Sequence, residues 1–315
     1  ALAFPVEATL RAEPAGEAVA GTNIQVFWTG PDRRGDFITI VEKGADRGQY
    51  GPYAYTRTGN PVEIRMPVDP GAYEIRYRLG QPIRTLASID ITAIPAEATL
   101  EGPDTAIAGE EITVAFTGPA AGSGDWITVV KPDDEPNKYS DYYYTRQGSP
   151  ATIRVPLEAG AYELRFVQGG KKILARKPIT VTSAAATISG PETAIAGEEV
   201  QVEFSGPEAG SGDWITVTAP DAAPNKYTDY HYSRNGSPAT IRMPLEAGEY
   251  ELRFVQGGKK IIARQPITVT AATATLSAKD TAIAGETVSV EFTGPAPASG
   301  DWITVTAPDA APNKY

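Results

Sequence analysis

The sequence predicts an all-β fold: tandem immunoglobulin-like β-sandwich repeats of about seven strands each, arranged as an elongated rod. Three observations point there. A Gly-Asp-aromatic-Ile-Thr segment recurs with its aromatic at Phe37, Trp126, Trp214 and Trp302, 88 or 89 residues apart, a period that suits one sandwich per copy. Apolar and polar residues alternate over short runs bounded by turn-forming residues, and no long run has helical periodicity. Glycine (31) and proline (27) are abundant in the 315 residues but stay below low-complexity levels, so they mark frequent turns.

The repeat divides the chain into a divergent first copy (1–95), a second (96–184), a third (185–272) and a partial fourth (273–315). The second and third are nearly the same text, "LEAGAYELRFVQGGKKILARKPITVT" against "LEAGEYELRFVQGGKKIIARQPITVT". Their sameness reflects close duplication, so the differences between copies are the more informative signal.

The elements follow in order on the second copy. "ATLEG", from Ala98, is a short first strand. "EEITVAFTG" sets Ile112, Val114 and Phe116 on one face, and "DWITVV" follows a Gly/Ser/Pro loop. "YSDYYYTR" is an aromatic strand. "ATIRVP" sets Ile153 and Val155 on one face. "AYELRFV" points Tyr162, Leu164 and Phe166 inward and Glu163 and Arg165 outward, and "KKILARKPITVT" closes the domain. The X-Gly pairs in "TRTGNP", "TRQGSP" and "SRNGSP" suit tight hairpins after the aromatic strand. Asn235-Gly236-Ser237 also fits a glycosylation acceptor, but Gln147 holds the asparagine's place in the second copy, which favours the turn. Tyr73, Tyr162 and Tyr250 occupy the position of a tyrosine corner, whose hydroxyl bonds back to the main chain.

There is no cysteine, hence no inter-sheet disulfide and no thiolate chemistry. The core is expected to rest on Trp126, Phe116, Phe166 and their equivalents. "PITVTSAAATISG" leaves about three small residues between copies, which predicts a semi-rigid array. The fourth copy reaches Tyr315, aligned with Tyr139 and Tyr227, without the later strands. Half a sandwich cannot bury its own face, so the natural chain is expected to continue.

Composition narrows the function classes. A net charge of -11 disfavours nucleic acid and anionic membrane surfaces. No apolar run is long enough to span a bilayer, and "ALAFPVEATL" lacks the pattern of a signal peptide, so a leader has been removed or the chain is an internal piece. No P-loop, EF-hand, dinucleotide fingerprint or nucleophile elbow is present, and no catalytic residue, cofactor or metal site is assigned. His231, the single histidine, reads as an outward strand position, with Tyr143 and Ala54 at its place in the other copies. "KPDDEPNKYSDY" raises calcium, but Asp134 and Glu135 become Ala222 and Ala223 in the third copy. Asp125 and Asp141 keep their type, with a turn-capping role competing against ligation. Lys171 and Lys172 read as a solvated hairpin tip.

Two features carry recognition readings. Tyr142, Tyr143, Tyr144, Tyr230 and Tyr232 crowd the aromatic strand, where they either anchor a sugar or protein partner or simply cover the sheet. Arg34-Gly35-Asp36 spells a string read by adhesion receptors, yet Gly-Asp belongs to every copy and only Arg34 is peculiar to the first. Asp36 is expected to cap the turn with its own side chain.

The pattern "ATLEGPDTAIAGEEITVAFTGP…GDWITVV…YTRQGSPATIRVPLEAGAYELRFV…ILARKPITVT" resembles the tandem β-sandwich repeats of exported von Willebrand factor A domain-containing proteins of marine alphaproteobacteria. The resemblance covers essentially the whole chain and implies a periplasmic, cell-surface or extracellular protein. The A domain's Asp-x-Ser-x-Ser motif is absent, so its adhesion chemistry does not carry over. A looser similarity is to SKICH-type interaction modules. The expected function is a non-catalytic spacer that projects or links other domains. The alternatives are a glycan- or protein-binding array on the tyrosine strand, and self-assembly through exposed sheet edges.

Overall fold

The computed structural model describes residues 7–122, 124–207, 212–295, 301–309 and 311. The chain forms two compact units that divide between Thr182 and Ser183. The fold is all-β and immunoglobulin-like. The first copy comprises β1 (Thr9–Glu13), β2 (Glu17–Val19), β3 (Asn23–Thr29), β4 (Phe37–Glu42), β5 (Tyr53–Tyr55), a 3-10 turn (Thr56–Thr58), β6 (Val62–Arg65), β7 (Gly71–Leu79) and β8 (Arg84–Ile94). One sheet has the order β1-β3-β6 and the other β2-β8-β7-β4-β5. The second and third copies repeat both orders.

Each complete copy has eight strands where seven were expected, because the first strand is split. Pro14 cannot donate to a ladder and Gly16 takes φ 78°, so the chain leaves β3 and crosses to the other sheet. There β2 pairs in parallel with β8.

Alternation fills the space between the sheets. In the first copy Ile24, Val26, Ile38, Ile40, Ile75 and Tyr77 are buried, and in the third Val202, Ile215, Val217, Leu252 and Phe254. Each such side chain contributes about 1.5–3 kcal/mol relative to exposure. Three hydroxyls make the expected corner: Tyr73 donates to the Asp69 carbonyl (2.9 Å), Tyr162 to Glu158 (3.0 Å) and Tyr250 to Glu246 (3.1 Å).

Three expectations are corrected. Trp126 is not a core residue: Ile127 and Val129 of the same strand are fully buried, so alternation turns Trp126 to the outer face of the sheet. Arg165, expected to face solvent, is 1% exposed. It does point away from the core, but the loop after the Trp126–Val130 strand folds over it, and its guanidinium donates to the carbonyls of Lys131, Pro132 and Asp134 and to Glu163. Arg76 and Arg253 tie down their loops in the same way. Finally, "TRQGSP" is no tight hairpin. A 3-10 turn over Thr145–Gln147 carries the chain from the Tyr142–Tyr144 strand to a strand of the opposite sheet.

In the fourth copy Thr275–Ser277 pairs with Glu291–Thr293. Leu276 and Phe292 stand exposed, whereas their equivalents Ile188 and Phe204 pack on the third core.

Candidate functional site

The aromatic strand lies at the edge of the five-stranded sheet, and its alternation separates the tyrosines. Tyr142 and Tyr144 share the outer face with Tyr139 and Trp126. Their rings form an edge-to-face chain with centroid separations of 6.4, 5.1 and 5.0 Å. Tyr143 falls on the other face, opposite Ile127 in register. The third copy builds the same ladder from Trp214, Tyr227, Tyr230 and Tyr232. Tyr142 and Tyr230 are exposed, while Tyr143, Tyr144 and Tyr232 are half-buried. Arg146 covers the Tyr144 ring and Arg234 the Tyr232 ring, so the inner end of each ladder is closed by a cation–π contact. A hydrogen bond with Tyr144 holds the Tyr142 phenol above its ordinary pKa, and Tyr232 does the same to Tyr230. The sequence did not separate Tyr143 from its neighbours, although strict alternation supplies the signal.

The aspartate of Arg34-Gly35-Asp36 is 1% exposed. Its carboxylate accepts from the amides of Arg33 (2.9 Å) and Gly80 (3.0 Å) and from the Tyr77 hydroxyl (3.3 Å). A receptor that reads Arg-Gly-Asp needs a free carboxylate, and this one is consumed by the turn. Asp125 repeats the arrangement with the amides of Gly122 (2.8 Å) and Gly169 (2.7 Å), and Asp213 with that of Gly257.

The remaining carboxylate raised for calcium is also engaged. Asp141 accepts from the amides of Tyr142 and Arg154. No group of three or more carboxylates and histidines that could hold a metal ion occurs among the described residues. His231 is half-buried and not an outward position, with its ring near Phe204 and Nε2 3.1 Å from the Gly236 carbonyl. The residue sits one step out of phase with the exposed Tyr230.

A feature that sequence reading missed lies between the first and second copies, inside one compact unit. Arg65, at the end of β6, donates from Nε to the Gly21 carbonyl (2.7 Å) and from a terminal nitrogen to Asp125 (2.5 Å). Gln168 donates to the Ala20 carbonyl (2.8 Å). Lys172, read as a solvated tip, instead donates to the Val68 carbonyl (3.2 Å). Glycines admit this approach. A Cβ on Gly122 would meet the Arg65 guanidinium at 2.6 Å, and one on Gly21 would meet the Gln168 side chain at 2.3 Å. Within the other unit, Arg242 reaches Asp301 (3.3 Å), joining the third copy to the fourth with the same pair of residue types. The signal was present as an arginine ending the sixth strand of every complete copy, but nothing local says that it faces the next domain.

No helix among the described residues is long and apolar enough to cross a membrane. No family model matches the sequence, and no curated protein matches it. Among solved structures the chain is similar to the ICAM-5 D1–D4 ectodomain fragment, at 15% identity over 88% of this chain and 80% of that one, with a TM-score of 0.21. It is also similar to the chicken CNTN1 FN1–FN3 domains, at 11% identity over 84% of this chain and 99% of that one, with a TM-score of 0.26.

Proposed function

We propose that the chain is a non-catalytic spacer region of an exported bacterial protein, whose copies are stiffly joined so that they project or link other domains. The observation that carries this reading is the Arg65–Asp125 pair with its accompanying Gln168 and Lys172 contacts. A flexible string of domains needs no buried ion pair between copies. This joint fixes one sandwich on the next with charged and neutral hydrogen bonds that use main-chain carbonyls. The resemblance to repeats of exported von Willebrand factor A domain-containing proteins agrees with a role outside the cytoplasm.

The absence of cysteine makes a direct test convenient. Spin labels on cysteines introduced at the exposed, equivalent positions Gln25 and Thr113 report the distance between the first two copies in the full chain. A narrow distribution that broadens in Arg65→Ala supports the spacer. A broad distribution in the unaltered chain removes it.

A second reading, a binding array, is favoured by the exposed middle rings of the ladders, Tyr139 and Tyr142 in the second copy and Tyr227 and Tyr230 in the third. Alanine at Tyr142 and Tyr230, screened against a glycan array, tests it.

A further inference from the structure

The divergent first copy differs from the others at the hairpin tip beside Phe37. In the second copy the indole of Trp126 lies across the β-hairpin tip, so close that a Cβ on Gly170 would sit 2.8 Å from the ring. Trp214 covers Gly258 in the third copy at 2.7 Å by the same measure. The first copy has Phe37 at the tryptophan's position. Its single ring is smaller, and Gln81 and Ile83 occupy the hairpin tip. The result is a groove of about 520 Å³ whose lining includes Phe37, Tyr50, Tyr53, Tyr55, Ile83 and two arginines, Arg34 and Arg78. That volume falls within the range of small-molecule sites.

Both arginines are peculiar to this copy. Serine stands at Arg34's place and valine at Arg78's place in the second and third copies. Arg78 is 1% exposed. One terminal nitrogen donates to the Gln49 carbonyl (3.1 Å), and the guanidinium lies 5.9 Å from the Phe37 ring. Its Nε is buried without a hydrogen-bond partner. Arg76, two residues earlier on the same strand, is by contrast satisfied by Glu74 and two carbonyls. Burial, and secondarily the charge of Arg76, lowers the Arg78 pKa. No carboxylate is among the residues that line the groove, although the chain as a whole carries a net charge of -11. An aromatic cage alone favours a cation, but two guanidinium groups reverse the sign.

We propose that this groove is a binding site for a carboxylate-bearing sugar, with Arg34 and Arg78 supplying the counter-charge and Tyr50, Tyr53 and Tyr55 packing on the pyranose ring. The three tyrosines are exposed to solvent, Tyr55 least at 48%, and linked edge to face at 5.5 and 5.9 Å. They present a strip of apolar ring surface with hydroxyls at its margin, matching a pyranose with an apolar C–H face and a polar rim. A uronate adds the anion that the arginines lack. The inference deepens the binding-array reading but confines it to the first copy, so it survives if the ladders of the second and third copies bind nothing.

The test uses the full chain and isothermal titration at low salt. The probes are tetragalacturonate, a glucuronate-containing tetrasaccharide, the tetragalacturonate reduced to its neutral alcohol form, and tetraglutamate. At least one acidic sugar is expected to bind, with the reduced sugar and the peptide each weaker by about tenfold or more. Arg34→Ser and Arg78→Val, which install the residues of the other copies, are each expected to weaken acidic-sugar binding by about tenfold. Arg34 is exposed, so its variant reports on the groove even if Arg78→Val disturbs folding. The proposal is overturned if neither acidic sugar binds, if the neutral sugar or tetraglutamate binds equally well, or if Arg34→Ser binds like the unaltered chain.

Discussion

Arg65 and Asp125 form an ion pair at 2.5 Å that spans two consecutive copies, and the Asp125 side chain is fully buried within it. Asp125 holds its own loop through two amides and receives the preceding copy through the arginine. One carboxylate therefore performs the turn and the joint together.

Removing the carboxylate should cost more than removing the arginine. Asp125→Ala takes the acceptor from two amides and from one terminal nitrogen of Arg65, for an expected loss of about 3–5 kcal/mol. Arg65→Ala leaves both amides satisfied and should cost about 2 kcal/mol. Calorimetry of the two variants checks the order, and equal losses would refute the dual role.

Gly21 and Gly16 both take positive φ, 73° and 78°, but only Gly21 faces the joint. Gly16→Ala meets open space and should cost only backbone strain, about 1–2 kcal/mol. Gly21→Ala pays the same strain and also drives a Cβ into Gln168, so its loss should be clearly larger. The midpoints of urea unfolding for the two variants distinguish these outcomes.

Arg165→Met keeps the aliphatic volume but leaves the carbonyls of Lys131, Pro132 and Asp134 without their donor. The expected destabilisation is about 3 kcal/mol. Hydrogen exchange should accelerate first at the amides of Asp134 and Lys138, which close turns in the covering loop. Unchanged exchange there would mean that the loop does not depend on the arginine.

Glu74 makes one acid-sensitive contribution. The Gly44 amide, and next the Arg76 guanidinium, hold its pKa below the ordinary 4.5. A folded pKa lower than the unfolded one means that the stabilisation is complete above the unfolded value and is lost as pH falls through the folded one. Glu74→Gln should therefore flatten the loss of stability below about pH 4.5 and leave its slope near neutrality unchanged. Denaturation midpoints measured at pH 7, 4.5 and 3 for both proteins provide the check.

Tyr162→Phe removes the corner hydroxyl's bond to Glu158. A loss of about 1 kcal/mol is expected, read from the thermal midpoint of the full chain.

The sequence by itself determined the repeat, the strand faces and the tyrosine corner. Each is written in local periodicity: Ile127 and Val129 share a face because strand side chains alternate, and Tyr162 meets Glu158 four residues away. Only the tertiary structure decided what lies over each face. Alternation placed Arg165 away from the core, yet a loop covers it. The same holds for Arg65, which local sequence marks as an outward residue and only the arrival of the next copy turns into half of a buried ion pair. Burial is a property of what packs against a residue: beyond their local turns, Asp36 meets Gly80 and Tyr77 and Asp125 meets Gly169 and Arg65, and Arg78 meets Gln49, all from segments that no local pattern brings together.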